Sequence, residues 1–305
     1  MELIRRPTRG QQRECVVTIG SFDGIHLGHR ALIERMLWHS RRLALPSMLL
    51  SFEPLPREFL QPEDPPARLT NFRERWRLLQ DCGIERLCLL RFDQALRLSS
   101  GLQFMQLLAS AGARMVVVGH DFRFGRGGEA SAEWCASHAA AFGFTVDVLA
   151  EVQVAGERVR SGSVRAALQA ADFARAARLL GRPYGMRGRV GSGDRLGRSL
   201  GFPTANIPIK RRRAPRHGVF AVRVTGVPGA AGALPGVANL GTRPMVGGRP
   251  MLLEVHLFDF DGELYGCELA VEFVARLRDE LTFESMAAMV LQMRRDAAQA
   301  RDLLR

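Results

Sequence analysis

The sequence predicts a two-part chain: an α/β first half built on a parallel sheet, then a small antiparallel β-barrel carrying a terminal helix. Three observations lead there. Short apolar runs alternate with amphipathic stretches through the first half, the signature of βαβ units. Gly181-Arg182-Pro183 then caps a helix and forbids its continuation. Beyond it the helical period vanishes and short strands separated by glycine turns take over. The boundary therefore falls near Arg182, giving domains 1–182 and 183–305. A chain of 305 residues can bury two cores, since domains cluster near ~100–150 residues.

In the first half, the apolar run 15–19 reads as a strand and 30–43 as a helix. Strands over 48–52, 86–92, 115–118 and 145–154 alternate with helices over 71–81, 102–109 and 131–141. Right-handed crossovers between parallel strands place ligands beyond the strands' carboxyl ends. Loops of unusual composition stand there: Phe52-Glu53-Pro54-Leu55-Pro56 after one strand and Gly119-His120-Asp121-Phe122-Arg123-Phe124-Gly125 after another. Asp121 and Arg123 either form a local salt bridge or contact a ligand, and a glycine-flanked loop at this edge favours contact.

The most informative stretch links the first strand to the first helix: Gly20-Ser21-Phe22-Asp23-Gly24-Ile25-His26-Leu27-Gly28-His29. Gly20, Gly24 and Gly28 present bare backbone, and a helix start offers unpaired N–H groups and the positive end of the dipole. His26 and His29, three apart, share one face of that turn. An anion placed there meets two imidazoles as well as the backbone, which suits nucleotidyl transfer by positioning and electrostatic stabilisation. A structural turn or half of a metal site is the competing reading, but zinc lacks a third ligand nearby. At the end of this half, Arg158-Val159-Arg160-Ser161-Gly162-Ser163-Val164-Arg165 opens a helical stretch over 166–180. Ser161 and Ser163 either simply cap that helix or form a second anion site with Arg158 and Arg165 as cationic arms.

Composition narrows the classes. No apolar stretch approaches the ~20 residues of a membrane helix, and residues 1–13 are too polar for a secretory signal, so a cytoplasmic protein is expected. Five scattered cysteines without a Cys-x-x-Cys pair argue for reduced, mostly buried thiols. The formal charge of +12 draws the chain toward nucleic acid, an anionic surface or nucleotide substrates. The one dense basic run, Lys210-Arg211-Arg212-Arg213, has no interleaved aromatics and reads as a solvated loop.

In the second half, strands are predicted over 184–190, 218–224, 235–239, 251–260 and 269–274, with a helix over 283–304. Closure into a barrel would leave few edges exposed. In Gly201-Phe202-Pro203-Thr204-Ala205-Asn206, Thr204 and Asn206 point the same way if the segment is extended. A hydroxyl and an amide carbonyl on one face suit hydrated Mg²⁺ and its phosphates, though an Asx or Ser/Thr turn would use the same residues. Glu254 interrupts the apolar strand Met251-Leu252-Leu253-Glu254-Val255-His256-Leu257, sharing a face with His256 and Phe258. It either faces solvent or takes a proton from a hydroxyl attacking a γ-phosphate.

These motifs resemble those of the bacterial bifunctional riboflavin kinase/FAD synthetase family over about 16–296. Gly-x-Phe-Asp-Gly-x-His-x-Gly-His at 20–29, Phe-Glu-Pro-x-Pro at 52–56, Gly-x-Asp-Phe-Arg-Phe-Gly at 119–125 and the 161–165 turn resemble the adenylyltransferase module, a Rossmann-like nucleotidyltransferase. The second half resembles the riboflavin kinase module through Gly-Arg-x-x-Gly-Phe-Pro-Thr-Ala-Asn at 197–206, Gly236-Val237-Ala238-Asn239-Leu240-Gly241-Thr242-Arg243-Pro244, Glu254-Val255-His256, Leu264-Tyr265-Gly266 and Leu277-Arg278-Asp279-Glu280. Ser21, Leu55, Gly162 and Met245 depart from the family's usual residues.

The resemblance implies two Mg·ATP reactions, riboflavin to FMN and FMN to FAD with release of pyrophosphate. It implies catalytic roles for His26, His29 and Glu254, with ATP contacts from Gly20, Phe22, Asp23, Gly28, Arg158, Ser161, Arg165, Gly201, Thr204 and Asn206. Asp121, Arg123, Arg278 and Glu280 would contact flavin, while Thr204 and Asn206 would hold Mg²⁺. Small-molecule substrates, no membrane, no nucleic acid and a monomer or weak oligomer are expected. Two other readings stay open: a kinase with weak or absent adenylylation, motivated by Leu55 and Gly162, and an arginine-rich nucleic-acid-binding protein on a nucleotide-binding scaffold. Salt-sensitive RNA binding without flavin turnover would mark the latter.

Overall fold

The computed structural model describes residues 1–5, 7, 13–192, 200–211, 213–241 and 251–305. Within them the chain divides into two compact units, one of residues 1–66 and 75–160, the other of 67–74 and 161–305. Gly197 and Arg198 of one predicted motif, Thr242 to Met245 of another, and Arg212 lie outside the described residues.

The first unit is a parallel sheet of β1 (Glu2–Ile4), β2 (Cys15–Ile19), β3 (Ser47–Glu53), β4 (Arg86–Arg91), β5 (Ala113–Gly119) and β8 (Thr145–Leu149), in the order β1-β4-β3-β2-β5-β8. Every residue of β2 is buried, as expected of a strand covered on both faces. Among the helices between the strands are α1 (Leu27–Leu43), α2 (Pro56–Leu60), α3 (Phe72–Asp81), α4 (Gln94–Leu98), α5 (Gly101–Ser110) and α6 (Ala132–His138). After β2 the chain winds outward through β3 and β4, then returns to the other side of β2 with β5. The order reverses between β2 and β5, so the loops leaving their carboxyl ends flank the crevice where such sheets bind ligands.

Most predicted elements appear within a few residues of their expected ends. The strand expected over 145–154 is shorter, because β8 stops at Leu149 and a hairpin of β9 (Gln153–Val154) and β10 (Glu157–Arg158) follows. Ala155 (φ 51°) and Gly156 (φ 76°) make its two-residue turn, both left-handed as such hairpins require. Between β5 and α6 a small ribbon pairs β6 (Arg123–Phe124) with β7 (Ala130–Ser131). The thiols of Cys15 and Cys88 are pushed up to about 12 by burial, and all five cysteines are free.

In the second unit the helical stretch expected over 166–180 is two helices, α7 (Ser161–Gln169) and α8 (Phe173–Leu180). Ala171 (φ 58°) breaks the first, and Asp172 caps the second. A six-stranded antiparallel sheet follows, composed of β11 (Gly185–Arg189), β12 (Ala205–Pro208), β13 (Gly218–Thr225), β14 (Leu234–Gly241), β15 (Leu252–Leu257) and β16 (Glu268–Arg278). Its order is β11-β16-β13-β14-β15-β12. A bridge between Gly191 and Asn206 carries the chain leaving β11 onto β12, so the barrel nearly closes. The terminal helix α9 (Met286–Leu304) seals one side, packing Ala300 and Leu304 on Ala221 and Phe258.

The solvated-loop reading of the basic run requires a correction. The Arg211 side chain is fully buried, donates to Glu74 and to the Tyr184 hydroxyl, and reaches the Arg68 carbonyl. Burial opposes its charge, but Glu74 and Tyr184 outweigh that and raise its pKa further. An arginine whose donors meet a carboxylate, a phenol and a carbonyl is stable in a core where a bare cation is not. Among the described residues, no helix is long and apolar enough to cross a membrane. Arg211→Met, which leaves Glu74 without its cationic partner, is expected to cost about 3 kcal/mol, read as a lowered midpoint in denaturant unfolding.

Candidate active sites

In the first unit, the glycine turn is held by its own apolar side chains. Phe22 (φ 48°) and Ile25 (φ 43°) take left-handed backbone that bulky residues avoid, and both are completely buried. Their burial offsets the strain and leaves Gly24 (φ 86°) free to complete the turn. Asp23 and His26 are buried as well. His26 is the N-cap of α1, its Nδ1 accepting the His29 N–H at 3.2 Å. With that lone pair engaged, the proton of the neutral ring lies on Nε2, a donor. The His26 and His29 rings stack with centroids 3.6 Å apart, and Phe22 lies against His29 at 4.9 Å. A Cβ at Gly28 would be tightly placed, 3.1 Å from the Val159 carbonyl oxygen and 3.2 Å from His26 Nδ1. Gly20 is similarly close-set against Phe22, at 3.2 Å.

The structure gathers beside this turn a residue that sequence reasoning missed. Arg75, on α3, is 2% exposed. Its Nη1 donates to the Ser21 carbonyl at 2.9 Å and its Nη2 to Glu53 Oε2 at 3.0 Å, with Ser51 Oγ and the Phe52 carbonyl each at 3.5 Å. Arg75 and Leu79 are the buried positions of α3, four residues apart on one face. A charge at a core-facing helical position is the signal that would have found it.

Asp121 does not pair with Arg123. It pairs with Arg158, whose Nε also reaches Glu151 at 3.0 Å, while His120 stands 3.9 Å from that carboxylate. Arg123 acts instead on Glu133, whose carboxyl is held below its usual range by hydrogen bonds from its own backbone N–H and the Ser131 hydroxyl, with Arg123 and His120 adding charge. The cationic arm and one expected flavin contact are thus partners in one exposed ion-pair cluster.

In the second unit, a cavity of about 370 Å³ in the barrel mouth is lined by Thr204, Asn206, Asn239, Glu254, His256, Arg278 and Glu280, with Phe202, Phe283, Met289, Met293 and Asp296. Register explains the convergence: Glu254 pairs across β15 with Asn206 on β12 and with Asn239 on β14. Three polar side chains therefore stand side by side on one pleated face. Along β15, Leu253, Val255 and Leu257 are buried while Glu254 and His256 are not, the alternation the sequence predicts. Asn206 Nδ2 donates to the Thr204 carbonyl at 3.4 Å, leaving the amide oxygen as its acceptor atom. His256 is oriented by the Pro203 carbonyl at 2.9 Å from Nδ1. Gly201 (φ 80°) turns the chain between Leu200 and Phe202, both of which line the cavity.

Arg278 is anchored by the helix that covers the barrel. Its Nε and Nη2 donate to Asp296 at 3.0 and 2.7 Å, and Gln292 adds a bond to the same carboxylate at 2.9 Å. Asp296 is 3% exposed and, like Asn239, was not singled out from sequence. Asn239 Nδ2 reaches Glu280 Oε1 at 3.5 Å. A second cavity of about 570 Å³ shares Thr204 and Asn206 with the first and runs past Val190, Leu257, Phe260, Asp261 and Tyr265. The arrangement can hold a polyphosphate at the shared residues, an acceptor hydroxyl beside Glu254, and an apolar ring system against Phe202 and Phe283. Ser161 opens α7, and Arg165 on the same helix donates from Nε to the Ala67 carbonyl at 2.6 Å.

Comparison with known proteins agrees with this division. A family described as FAD synthetase matches residues 8–163, and one described as riboflavin kinase matches 180–304. The bifunctional riboflavin kinase/FMN adenylyltransferase of Escherichia coli K12 is 40% identical, covering 99% of this chain and 97% of its own. The protein of that name from Pseudomonas fluorescens is 43% identical, covering 99% and 98%. A crystal structure from Streptococcus pneumoniae, described as a macrolide-efflux protein, superposes with a TM-score of 0.82 at 29% identity over 99% of both chains.

Gly28→Ala should overpack the turn at a cost of ~1–3 kcal/mol. If His26 yields to the new methyl, nucleotide affinity of the first unit falls by roughly tenfold or more while the cooperative melt persists, as equilibrium ATP binding and thermal unfolding of the same variant will show.

Proposed function

The chain belongs to the bifunctional riboflavin kinase/FMN adenylyltransferase family, and from that membership we propose how its residues share two ATP-dependent reactions. The enzyme phosphorylates riboflavin to FMN and adenylylates FMN to FAD. The observation that carries the residue assignment is the barrel-mouth cavity in which Thr204, Asn206, Glu254, Arg278 and Glu280 meet.

In the kinase reaction, Glu254 accepts the proton of the ribityl 5′-hydroxyl as its oxygen attacks the γ-phosphorus of ATP and the bond to the ADP oxygen breaks. Asn206 and Asn239 are its register partners on the neighbouring strands, so all three lie in one cavity wall. ATP lies along the second cavity with its phosphates at Thr204 and Asn206, near the turn at Gly201. The isoalloxazine ring lies against Phe202 and Phe283, with Arg278 and Glu280 at its polar edge. Thr204 and Asn206 would hold Mg²⁺. Among the described residues no group of three or more His, Cys, Asp or Glu is clustered for a metal, and two neutral oxygens plus substrate phosphates suit Mg²⁺, which keeps few protein ligands. When bound, the ion neutralises charge on the β- and γ-phosphates.

In the adenylyltransferase reaction, an FMN phosphate oxygen attacks the α-phosphorus of ATP and pyrophosphate leaves. No nucleophile is required from the protein. The α1 N-terminus, His26 Nε2 and His29 stabilise the charge that builds on the α-phosphate, with Gly20, Phe22, Asp23 and Gly28 shaping the approach and Arg158 adding a cation. Asp121 and Arg123 contact FMN, and Ser161 and Arg165 keep phosphate contacts on the strength of their motif. The modules extend over 1–182 and 183–305, acting in the cytoplasm as a monomer or weak oligomer on small molecules alone.

Glu254→Gln is expected to lower FMN formation by ~10²–10⁴-fold, the usual contribution of a general base, while supplied FMN is still converted to FAD. His29→Ala should show the opposite, with FAD formation lost and riboflavin phosphorylation kept. Following FMN and FAD separately over time in riboflavin, ATP and Mg²⁺ tests both. A normal FMN rate in Glu254→Gln would remove the base assignment, and loss of both activities in a folded His29→Ala would remove the separation of sites.

A further inference from the structure

Resting on the reading of the first unit as the adenylylating one, we propose that Arg75 is a positioning residue for adenylyl transfer, acting through the Ser21–Phe22 peptide. The Ser21 carbonyl belongs to the peptide immediately before Phe22, and its orientation is set by the torsion that stands at the strained value of 48°. Three groups fix that peptide. Arg75 Nη1 donates to its oxygen at 2.9 Å, Ser51 Oγ donates to the same oxygen at 3.3 Å, and the Phe22 ring is buried. The guanidinium then reaches from Ser21 to the Phe52 carbonyl and Glu53, tying the exit of β2 to the exit of β3.

Strained backbone persists only where its surroundings over-determine it. Without the fork, rotation of the Ser21–Phe22 peptide relieves Phe22 and carries His26 and His29, four and seven residues on, away from their stacked geometry. A lysine gathers its three donors on one nitrogen where arginine spreads its donors over a planar fork, so it cannot span both strand exits. Arg75 itself touches no reacting atom in this account. Its effect is on where the imidazoles stand.

The test compares Arg75→Lys and Arg75→Met in the full-length enzyme, using ATP with FMN for adenylylation and ATP with riboflavin for phosphorylation. The expected result is a fall of about 10²-fold in kcat/KM for adenylylation by Arg75→Met, of the size a small misplacement produces. The fall includes a raised KM for ATP, partial recovery in Arg75→Lys, and riboflavin phosphorylation at the wild-type rate. The ring-proton resonances of His26 and His29, displaced in the wild type by their stacking, should move toward ordinary values in Arg75→Met. If the variant merely loses folded protein, kcat falls with the active fraction while KM for ATP and those resonances in the folded remainder stay put, and the proposal is overturned. Wild-type kinetics in both variants would overturn it equally. Absence of adenylylation in the wild type would instead remove the reading on which it rests.

Discussion

A charge removed from water has to be met by an opposite charge or by polar atoms, and this requirement decides how both active regions are built. Arg75 lies in the first unit with carbonyls, a hydroxyl and Glu53 around it. In the second unit Arg211 is met through Nη1 and Nη2 by Glu74, Tyr184 and a carbonyl, and Asp296 is met by Arg278 and Gln292. Each group can stay buried because its partners are fixed, and each thereby fixes them in return. Such networks stiffen the structure around them, because losing one member takes a partner from the others.

Chemistry then appears only where the sheets leave polar groups accessible. A parallel sheet covered on both faces has no exposed surface for a ligand, so the carboxyl ends of β2 and β5 remain. A nearly closed barrel has a filled interior, and its mouth is the place where Asn206, Glu254 and Asn239 can line up across three strands. The two units present different polar groups. One offers backbone N–H groups and imidazoles at a helix start, the other side-chain oxygens held by strand register.

Legibility in the sequence followed the range of the interactions. The glycine turn was readable because its spacing is local: Gly20, Gly24 and Gly28 with His26 and His29 occupy ten consecutive positions, and the strand–turn–helix pattern places them. Glu254 was readable because a carboxylate interrupts an apolar alternation. The strand expected over 145–154 ended at Leu149, and the left-handed turn that pairs β9 with β10 carries no warning in the residue type of Ala155. The basic run misled because three neighbouring arginines suggest a solvated loop, whereas Arg211 has partners at Glu74 and Tyr184, far away in sequence.

By itself, the sequence determined the order of the two folds and the placing of the glycine turn between a strand and a helix, since period and glycine spacing are properties of short stretches. Only the tertiary structure decided that Asp121 pairs with Arg158, that Asn239 flanks Glu254, that Asp296 anchors Arg278, and that Arg75 reaches the peptide before Phe22. The physical reason is separation along the chain: these contacts join residues 15 to 54 positions apart, and register and packing, not composition, bring their atoms within a hydrogen bond.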